Sequence, residues 1–314
     1  MKIVLLEELG VSGQVMEKHA QKLEKMGHTF LAYPKDADPK VQLERSKDAD
    51  VIMLANMPLD ASVVKEATNL KYIDVAFTGV DHIPMEEARK RNILVSNASG
   101  YATVAVAELC ISFMIDLLRN VKQTEERCRT EGTKAGLIGN LLCGKTVGIV
   151  GAGAIGKKVA ALCKAFGCSV IAYSRSKVED PSIDEQVSLE ALLSRADLVS
   201  LHCPLTKETK GMIGKEQLAL MKKEAILINT ARGAVVDSEA LAQALTKGEI
   251  AGAACDVFEM EPPVPKDHPL LHTPNTIVTP HIAFASEESM EQRADIVFEN
   301  LYGWLNGKHL NPVT

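Results

Sequence analysis

Three ionisable residues in the second half of the chain, Arg232, Glu261 and His281, each come after an apolar, strand-like run and lie in loop-like sequence. Arg232 follows Ile226-Leu-Ile-Asn-Thr-Ala231, Glu261 sits within Asp256-Val-Phe-Glu-Met-Glu-Pro-Pro263, and His281 follows Ile277-Val-Thr-Pro280. Together these residue types suit hydride reduction of a carbonyl that neighbours a carboxylate. A guanidinium grips the carboxylate through two parallel hydrogen bonds and polarises the adjacent carbonyl. An imidazolium supplies the proton that accompanies the hydride. A carboxylate beside the imidazole fixes its orientation and favours the protonated form. Taken singly, each also has a plain reading: a surface ion-pair arginine, a solvated loop acid, and a histidine that hydrogen-bonds at a strand end.

The stretch Lys145-Thr-Val-Gly-Ile-Val-Gly-Ala-Gly-Ala-Ile-Gly156 points to what delivers the hydride. Gly151 permits a tight strand-to-helix turn, Gly153 lets the backbone approach a pyrophosphate, and Gly156 lets the helix pack close to the sheet. Ala154, Ile155 and Gly156 then present their amides to the anion at the helix N-terminus. Thr146–Val150 reads as the strand and 157–166 as the helix, stopped by Gly167, so a dinucleotide is the expected ligand.

These residues need a frame that brings distant loops together. Strand-like runs at 3–7, 30–33, 51–54, 72–77 and 93–96 alternate with helix-patterned segments. A second alternation runs through 146–150, 170–173, 198–203, 225–229, 252–256 and 276–279. The expected fold is α/β, two doubly wound Rossmann-like domains with a cleft between them: an N-terminal, flavodoxin-like substrate domain and an inserted nucleotide-binding domain. The substrate domain is expected over 1–100 plus 285–314, the nucleotide domain over 101–284. A long apolar helix from Ala102 to about Arg127 can be buried at a domain or subunit interface or packed inside one subunit. A C-terminal helix over 287–305 returns the chain to the first domain, and 99–101 and 283–287 are candidate hinges.

Composition narrows the partners. The formal charge of −6 and the absence of a basic face argue against nucleic acid and anionic membranes. No stretch reads as a signal or membrane span, so a cytoplasmic, soluble protein is expected. The seven scattered cysteines read as reduced thiols buried as small apolar residues, and no metal site is expected.

The chain also resembles the D-isomer-specific 2-hydroxyacid dehydrogenases over nearly its full length. The motifs that carry this are Gly79-Val-Asp-His-Ile83, Val106-Ala-Glu108, the glycine loop, Leu201-His-Cys-Pro-Leu-Thr206, Asn229-Thr-Ala-Arg-Gly233, Asp256-Val-Phe-Glu-Met-Glu-Pro262 and Pro280-His-Ile-Ala283, in the family's order. The resemblance implies that Arg232 binds the substrate carboxylate and carbonyl, that His281 is the acid/base and that Glu261 is its partner. It implies cofactor contacts at Thr103, His202, Pro204, Thr209, Thr230, Ala231 and Asp256, the last toward the nicotinamide carboxamide. It places the substrate carboxylate at Phe77, Thr78 and Gly79, and it implies a homodimer through the helix starting near Ala102. Phe77 stands where the family often has glycine, and Phe284 follows His281 where glycines are common. Both can narrow the pocket or be core aromatics. Val75 replaces the arginine of phosphoglycerate-type members, and the chain ends at Thr314 without a regulatory domain, so a phosphorylated substrate is disfavoured.

After the strand 169–173 comes Ser174-Arg-Ser-Lys177, with no acid until Glu179. A carboxylate at this place would accept from the ribose 2′-hydroxyl of NAD and repel a 2′-phosphate. Ser174, Arg175 and Ser176 instead suit that phosphate, so NADP(H) is expected over NAD(H), with NAD(H) use possible. The expected activity is reduction of a small 2-oxoacid to the D-2-hydroxyacid, as in glyoxylate or hydroxypyruvate reductases. The rivals are a non-catalytic dinucleotide sensor on the same fold and a phosphoglycerate-type dehydrogenase.

Overall fold

A computed structural model describes residues 1–313. The chain forms two compact units, Met1–Ala102 together with the chain from Phe284 onward, and Thr103–Ala283. The passages fall at 102/103 and 283/284, where the sequence reading put 100/101 and 284/285.

The first unit runs β1 (Lys2–Leu5), α1 (Gly13–Lys25), β2 (Thr29–Ala32), α2 (Pro39–Ser46), β3 (Val51–Leu54), α3 (Ala61–Glu66), β4 (Tyr72–Val75), α4 (Met85–Lys90) and β5 (Leu94–Asn97). The second runs α5 (Thr103–Leu118), α6 (Val121–Arg129), β6 (Thr146–Val150), α7 (Ala154–Ala165), β7 (Ser169–Tyr173), β8 (Glu185–Gln186), α8 (Leu189–Arg195), β9 (Leu198–Leu201), α9 (Lys215–Leu220), β10 (Ile226–Asn229), α10 (Ser238–Lys247), β11 (Gly252–Cys255) and β12 (Thr276–Val278). The chain then returns to the first unit as α11 (Glu287–Leu305), which packs on β4.

Both sheets are parallel, in the orders β2-β1-β3-β4-β5 and β12-β11-β10-β9-β6-β7-β8. Strands covered by helices on both faces carry unbroken apolar runs instead of an alternation. Val51-Ile-Met-Leu54 and Leu198-Val-Ser-Leu201 are accordingly buried along their whole length. Helix starts are written in the caps: Ser12, Asp38, Asp60, Ser188, Asp237 and Ser286 each accept a first-turn amide.

Two local expectations change. The helix expected over 102–127 is two helices, because Asn120 adopts φ +52 between them and turns the chain out of the first. α5 packs against α7 and the β10–β12 side of its own sheet, which buries Val106, Cys110, Phe113 and Met114 and leaves Val104 exposed. The thiols of Cys110, Cys163, Cys168 and Cys255 are buried as expected, but Cys128 and Cys143 are exposed. No described helix is long and apolar enough to cross a membrane.

Candidate active site

In the second unit every candidate residue but Thr103 lies just past the carboxyl end of a strand, the edge where doubly wound sheets bind their ligands. Thr103 opens α5. The glycine loop joins β6 to α7, Ser174–Ser176 follow β7, and His202, Pro204 and Thr209 follow β9. Thr230 to Arg232 follow β10, Asp256 and Glu261 follow β11, and His281 follows β12. Because β10, β11 and β12 are neighbours, the three residues expected to do chemistry come from three adjacent strand ends.

The glycine segment fits a dinucleotide on structural grounds. Gly151 has φ +97, and a Cβ there would lie 2.7 Å from the Cys203 amide; a Cβ on Gly156 would lie 2.2 Å from the Gly151 carbonyl. A Cβ on Gly153 would meet nothing within 4 Å. Gly153 also caps α7 without any side-chain hydrogen bond, so the first amides of a 12-residue helix remain available to an anion. Behind this loop His202 receives a hydrogen-bond contact of 2.8 Å between its Nε2 and Ser200 Oγ, and burial pushes its imidazole down to about 4. It is therefore neutral at physiological pH. Thr209 Oγ1 donates to the Pro204 carbonyl at 2.6 Å and tightens the turn after β9. Thr230 Oγ1 lies 3.2 Å from Cys110 Sγ on α5.

His281 and Glu261 meet. Nδ1 of His281 stands 2.9 and 3.1 Å from the two Glu261 carboxylate oxygens. A carboxylate only accepts, so Nδ1 carries the hydrogen and Nε2 is left as the atom that gains or loses a proton. His281 sits at φ +58, a left-handed conformation unusual for a residue with a Cβ, so its surroundings must hold it there. Asp256 supplies that hold. Its Oδ1 accepts from Thr279 Oγ1 at 2.6 Å and from the Ile282 amide at 2.8 Å, and Oδ2 accepts from the Ala283 amide at 2.8 Å. The His281 amide donates to the Asp256 carbonyl at 2.8 Å. The residues on both sides of His281 are thus tied to one fully buried side chain. Burial raises the Asp256 carboxyl above the usual range, against the pull of these donors and of the His281 ring.

Arg232 stands on a turn braced by Asn229. The Asn229 Oδ1 accepts from the Ala231 amide at 3.1 Å, and its Nδ2 donates to the Arg232 carbonyl at 3.0 Å. The next residue cannot carry a side chain, since a Cβ on Gly233 would lie 1.9 Å from the Phe258 carbonyl carbon. That contact presses the Arg232 turn against the loop that carries Glu261. The loop is anchored from its other side, where Glu259 accepts from Ser238 Oγ and meets His268 Nε2 at 3.1 Å.

In the first unit Phe77, Thr78 and Gly79 follow β4. The Phe77 carbonyl accepts from the Ala98 amide at 3.1 Å and the Thr78 carbonyl from Asn97 Nδ2 at 2.7 Å. Because C=O and N–H point oppositely across a planar peptide, fixing these carbonyls turns the Thr78 and Gly79 amides the other way. Phe77 stacks edge-on against Phe284 at 5.1 Å and lies 6.2 Å from the Tyr101 ring, within an aromatic cluster of this unit.

Sequence reasoning passed over Asn97, Asn229, Thr279 and the Ser238–Glu259–His268 group. Asn229, Thr279 and Glu259 lie within stretches already singled out; the others gave no signal, because a small polar residue has no fixed spacing from its hydrogen-bond partner. Among the described residues no three potential ligands gather to hold a metal ion.

A doubly wound sheet with this glycine turn and uncapped helix defines a dinucleotide-binding α/β class. Within it, residues 111–283 match the family model described as D-isomer specific 2-hydroxyacid dehydrogenase, NAD binding domain. The chain is 40% identical over 310 residues to a glyoxylate reductase of Korarchaeum cryptofilum, covering 95% of this chain and 92% of that one. It is also 40% identical over 272 residues to a D-3-phosphoglycerate dehydrogenase of Methanocaldococcus jannaschii, where 85% of this chain matches 52% of a longer protein. The structure of an acyclic imino acid reductase in complex with NADPH and D-Arg superposes with a TM-score of 0.92 at 27% identity, covering all of both chains. The chain belongs to the D-isomer specific 2-hydroxyacid dehydrogenase family. It is accordingly an oxidoreductase that uses a nicotinamide dinucleotide.

Proposed function

We propose that this protein is an NADPH-preferring reductase that converts a small 2-oxoacid, with glyoxylate and hydroxypyruvate foremost, to the D-2-hydroxyacid. The observation that carries the reading is the Glu261–His281 pair, which follows β11 and β12 in the sheet order β12-β11-β10 while Arg232 follows β10. When bound, the reduced nicotinamide supplies the hydride. Arg232 binds the substrate carboxylate and polarises the carbonyl. His281 Nε2 gives its proton to the carbonyl oxygen, and Glu261 keeps the ring oriented through Nδ1. The amides of Thr78 and Gly79 receive the carboxylate of the substrate.

Cofactor preference is supported by the residues after β7. Arg175 is exposed, Ser174 and Ser176 flank it, and the first acid, Glu179, is paired with Lys177 at 2.6 Å. The assembly proposed is a homodimer through the helix that starts near Ala102, and the exposed apolar residues Val104, Val121, Ile138 and Leu141 on and beyond α5 support it. Sedimentation velocity tests it, and a monomer at micromolar concentration would refute it.

The deciding experiment is oxidation of NADPH and NADH against a panel of 2-oxoacids, with chiral analysis of the product. Replacing His281 with Gln should lower kcat by about 10²–10⁴-fold while leaving cofactor Kd within twofold. No cofactor consumption with any 2-oxoacid would return the protein to the dinucleotide-sensor reading.

A further inference from the structure

The loop after β7 that carries Ser174, Arg175 and Ser176 is held by one side chain from the edge of the sheet. Gln186, in β8, donates from Nε2 to the Ser174 carbonyl at 3.0 Å and to the Ser176 carbonyl at 2.9 Å. Its Oε1 accepts from the Val178 amide at 2.9 Å. Both amide hydrogens and one lone pair are used, and turning the amide over would set its oxygen against two carbonyls. The orientation is therefore fixed by chemistry. Two carbonyls two residues apart converge on a single nitrogen, so the segment between them closes into a small loop with Arg175 at its apex.

The anchor is itself held in place. β8 pairs with β7 through Ala172 and Gln186, and the Val187 amide donates to the Ala172 carbonyl at 2.9 Å. Asp184, just ahead of β8, accepts from the Val170 amide at 2.7 Å and pairs with Lys164 at 2.7 Å. Gln186 thus transmits the position of the sheet to a loop that has no packed core of its own. A loop already in its bound shape loses less conformational freedom when a ligand arrives.

We propose that Gln186 is the positioning residue for cofactor selection: it holds the 174–178 loop in the shape in which Arg175 and the flanking serines receive a ribose 2′-phosphate. The inference rests on the NADPH reading above. With both amide hydrogens spent on the loop's carbonyls, Gln186 acts through the loop, so its loss should weaken ligands that carry a 2′-phosphate and spare those that lack it.

Calorimetric titration with adenosine 2′,5′-bisphosphate and with 5′-AMP reads this without turnover, and KM for NADPH and NADH gives a second readout. Wild type should bind the bisphosphate more tightly than 5′-AMP, and Arg175→Ala should abolish the difference. Gln186→Leu, which keeps the bulk and removes every hydrogen bond, should weaken the bisphosphate and raise the NADPH KM about tenfold. 5′-AMP binding, the NADH KM and kcat with either cofactor should stay within twofold. Combining Gln186→Leu with Arg175→Ala should add little to Arg175→Ala alone, because both act on the same contact. If Gln186→Leu melts below the assay temperature, Gln186→Met carries the test, since it is uncharged, keeps a side chain of similar length and loses every hydrogen bond of the amide. A wild type that binds the two nucleotides alike would sink the NADPH reading and this inference with it. A wild-type preference that Arg175→Ala removes but Gln186→Leu leaves intact, or a Gln186→Leu loss equal for both nucleotides, would overturn the inference alone.

Discussion

Each unit buries one aspartate completely, Asp74 in the first and Asp256 in the second, and provides for them differently. Asp74 lies inside β4, where its Oδ1 accepts from Asn300 Nδ2 at 3.1 Å and its Oδ2 has no partner. Asp256 lies one residue past β11 and has three donors shared over both oxygens. A strand interior spends its amides on the ladder, so a buried acid there must rely on a side chain from a covering helix. A strand end has spare amides in the loop that follows. Burial raises both carboxyls, Asp74 well above the usual carboxylate range and Asp256 against the pull of its donors. The donors at Asp256 serve another purpose, which is to fix the backbone on both sides of His281.

Removing the better-provided acid is expected to have the largest effect. Asp256→Ala leaves the amides of Ile282 and Ala283 without their acceptor and frees His281 from its left-handed conformation. We expect kcat/KM for NADPH-dependent glyoxylate reduction to fall about 10²-fold or more, the scale of a misplacement of about 1 Å. The melting temperature should fall less than two orphaned amides alone would suggest, because desolvation is the largest influence on Asp256 and its removal offsets part of the loss. Activity within a factor of three of wild type would show that His281 holds its place without Asp256.

The poorly provided acid should respond in the opposite sense, through pH. A carboxyl whose folded pKa is raised stabilises the fold only below its unfolded value, and that contribution drains away as pH rises toward the folded one. The unfolded chain ionises freely near pH 4, whereas buried Asp74 resists. Asp74→Asn keeps the shape and the acceptor for Asn300 and cannot ionise. The melting temperature of the variant relative to wild type should therefore climb between about pH 4 and pH 8, by on the order of 2–4 °C per kcal/mol of relieved cost. A pH-independent difference between the two melts would mean that Asp74 titrates normally.

The same contrast explains what could be read from the sequence. Strands buried on both faces announce themselves: 51–54 and 146–150 fell where the apolar runs are, and α11 spans the residues its pattern marked. β8 was invisible because its two residues, Glu185 and Gln186, are exposed and polar, and its pairing follows from the fold alone. The break at Asn120 was hidden because Val121 carries the apolar pattern onward, although its side chain is exposed. In the candidate site, Arg232, Glu261 and His281 stood out as charges after strands. Their braces did not, since Asn229, Thr279 and Asn97 are small polar residues whose partners are set by where the backbone turns. Phe77 left two readings open in the sequence, and stacking with Phe284 puts it within the aromatic cluster of its own unit.

The smallest expected effect sharpens the comparison furthest, because it removes one donor from Asp256 without touching backbone. Thr279→Val is nearly isosteric and deletes the hydroxyl that stands 2.6 Å from Oδ1, while the Ile282 amide still satisfies that oxygen. A hydrogen bond to a charged group contributes roughly 1.5–3 kcal/mol, but an acceptor that keeps a second donor loses less than one left bare, so the stability loss should be about 1 kcal/mol. With one donor gone, the Asp256 carboxyl should rise further, since the Thr279 hydroxyl stabilises its ionised form. The position of His281 should change little, because the Ile282 and Ala283 amides that follow it keep their acceptor and its own amide still donates to the Asp256 carbonyl. Urea denaturation and kcat/KM measured together decide the matter. If activity falls more than about tenfold for a loss near 1 kcal/mol, the hydroxyl, and not the pair of amides, is what keeps the histidine in place.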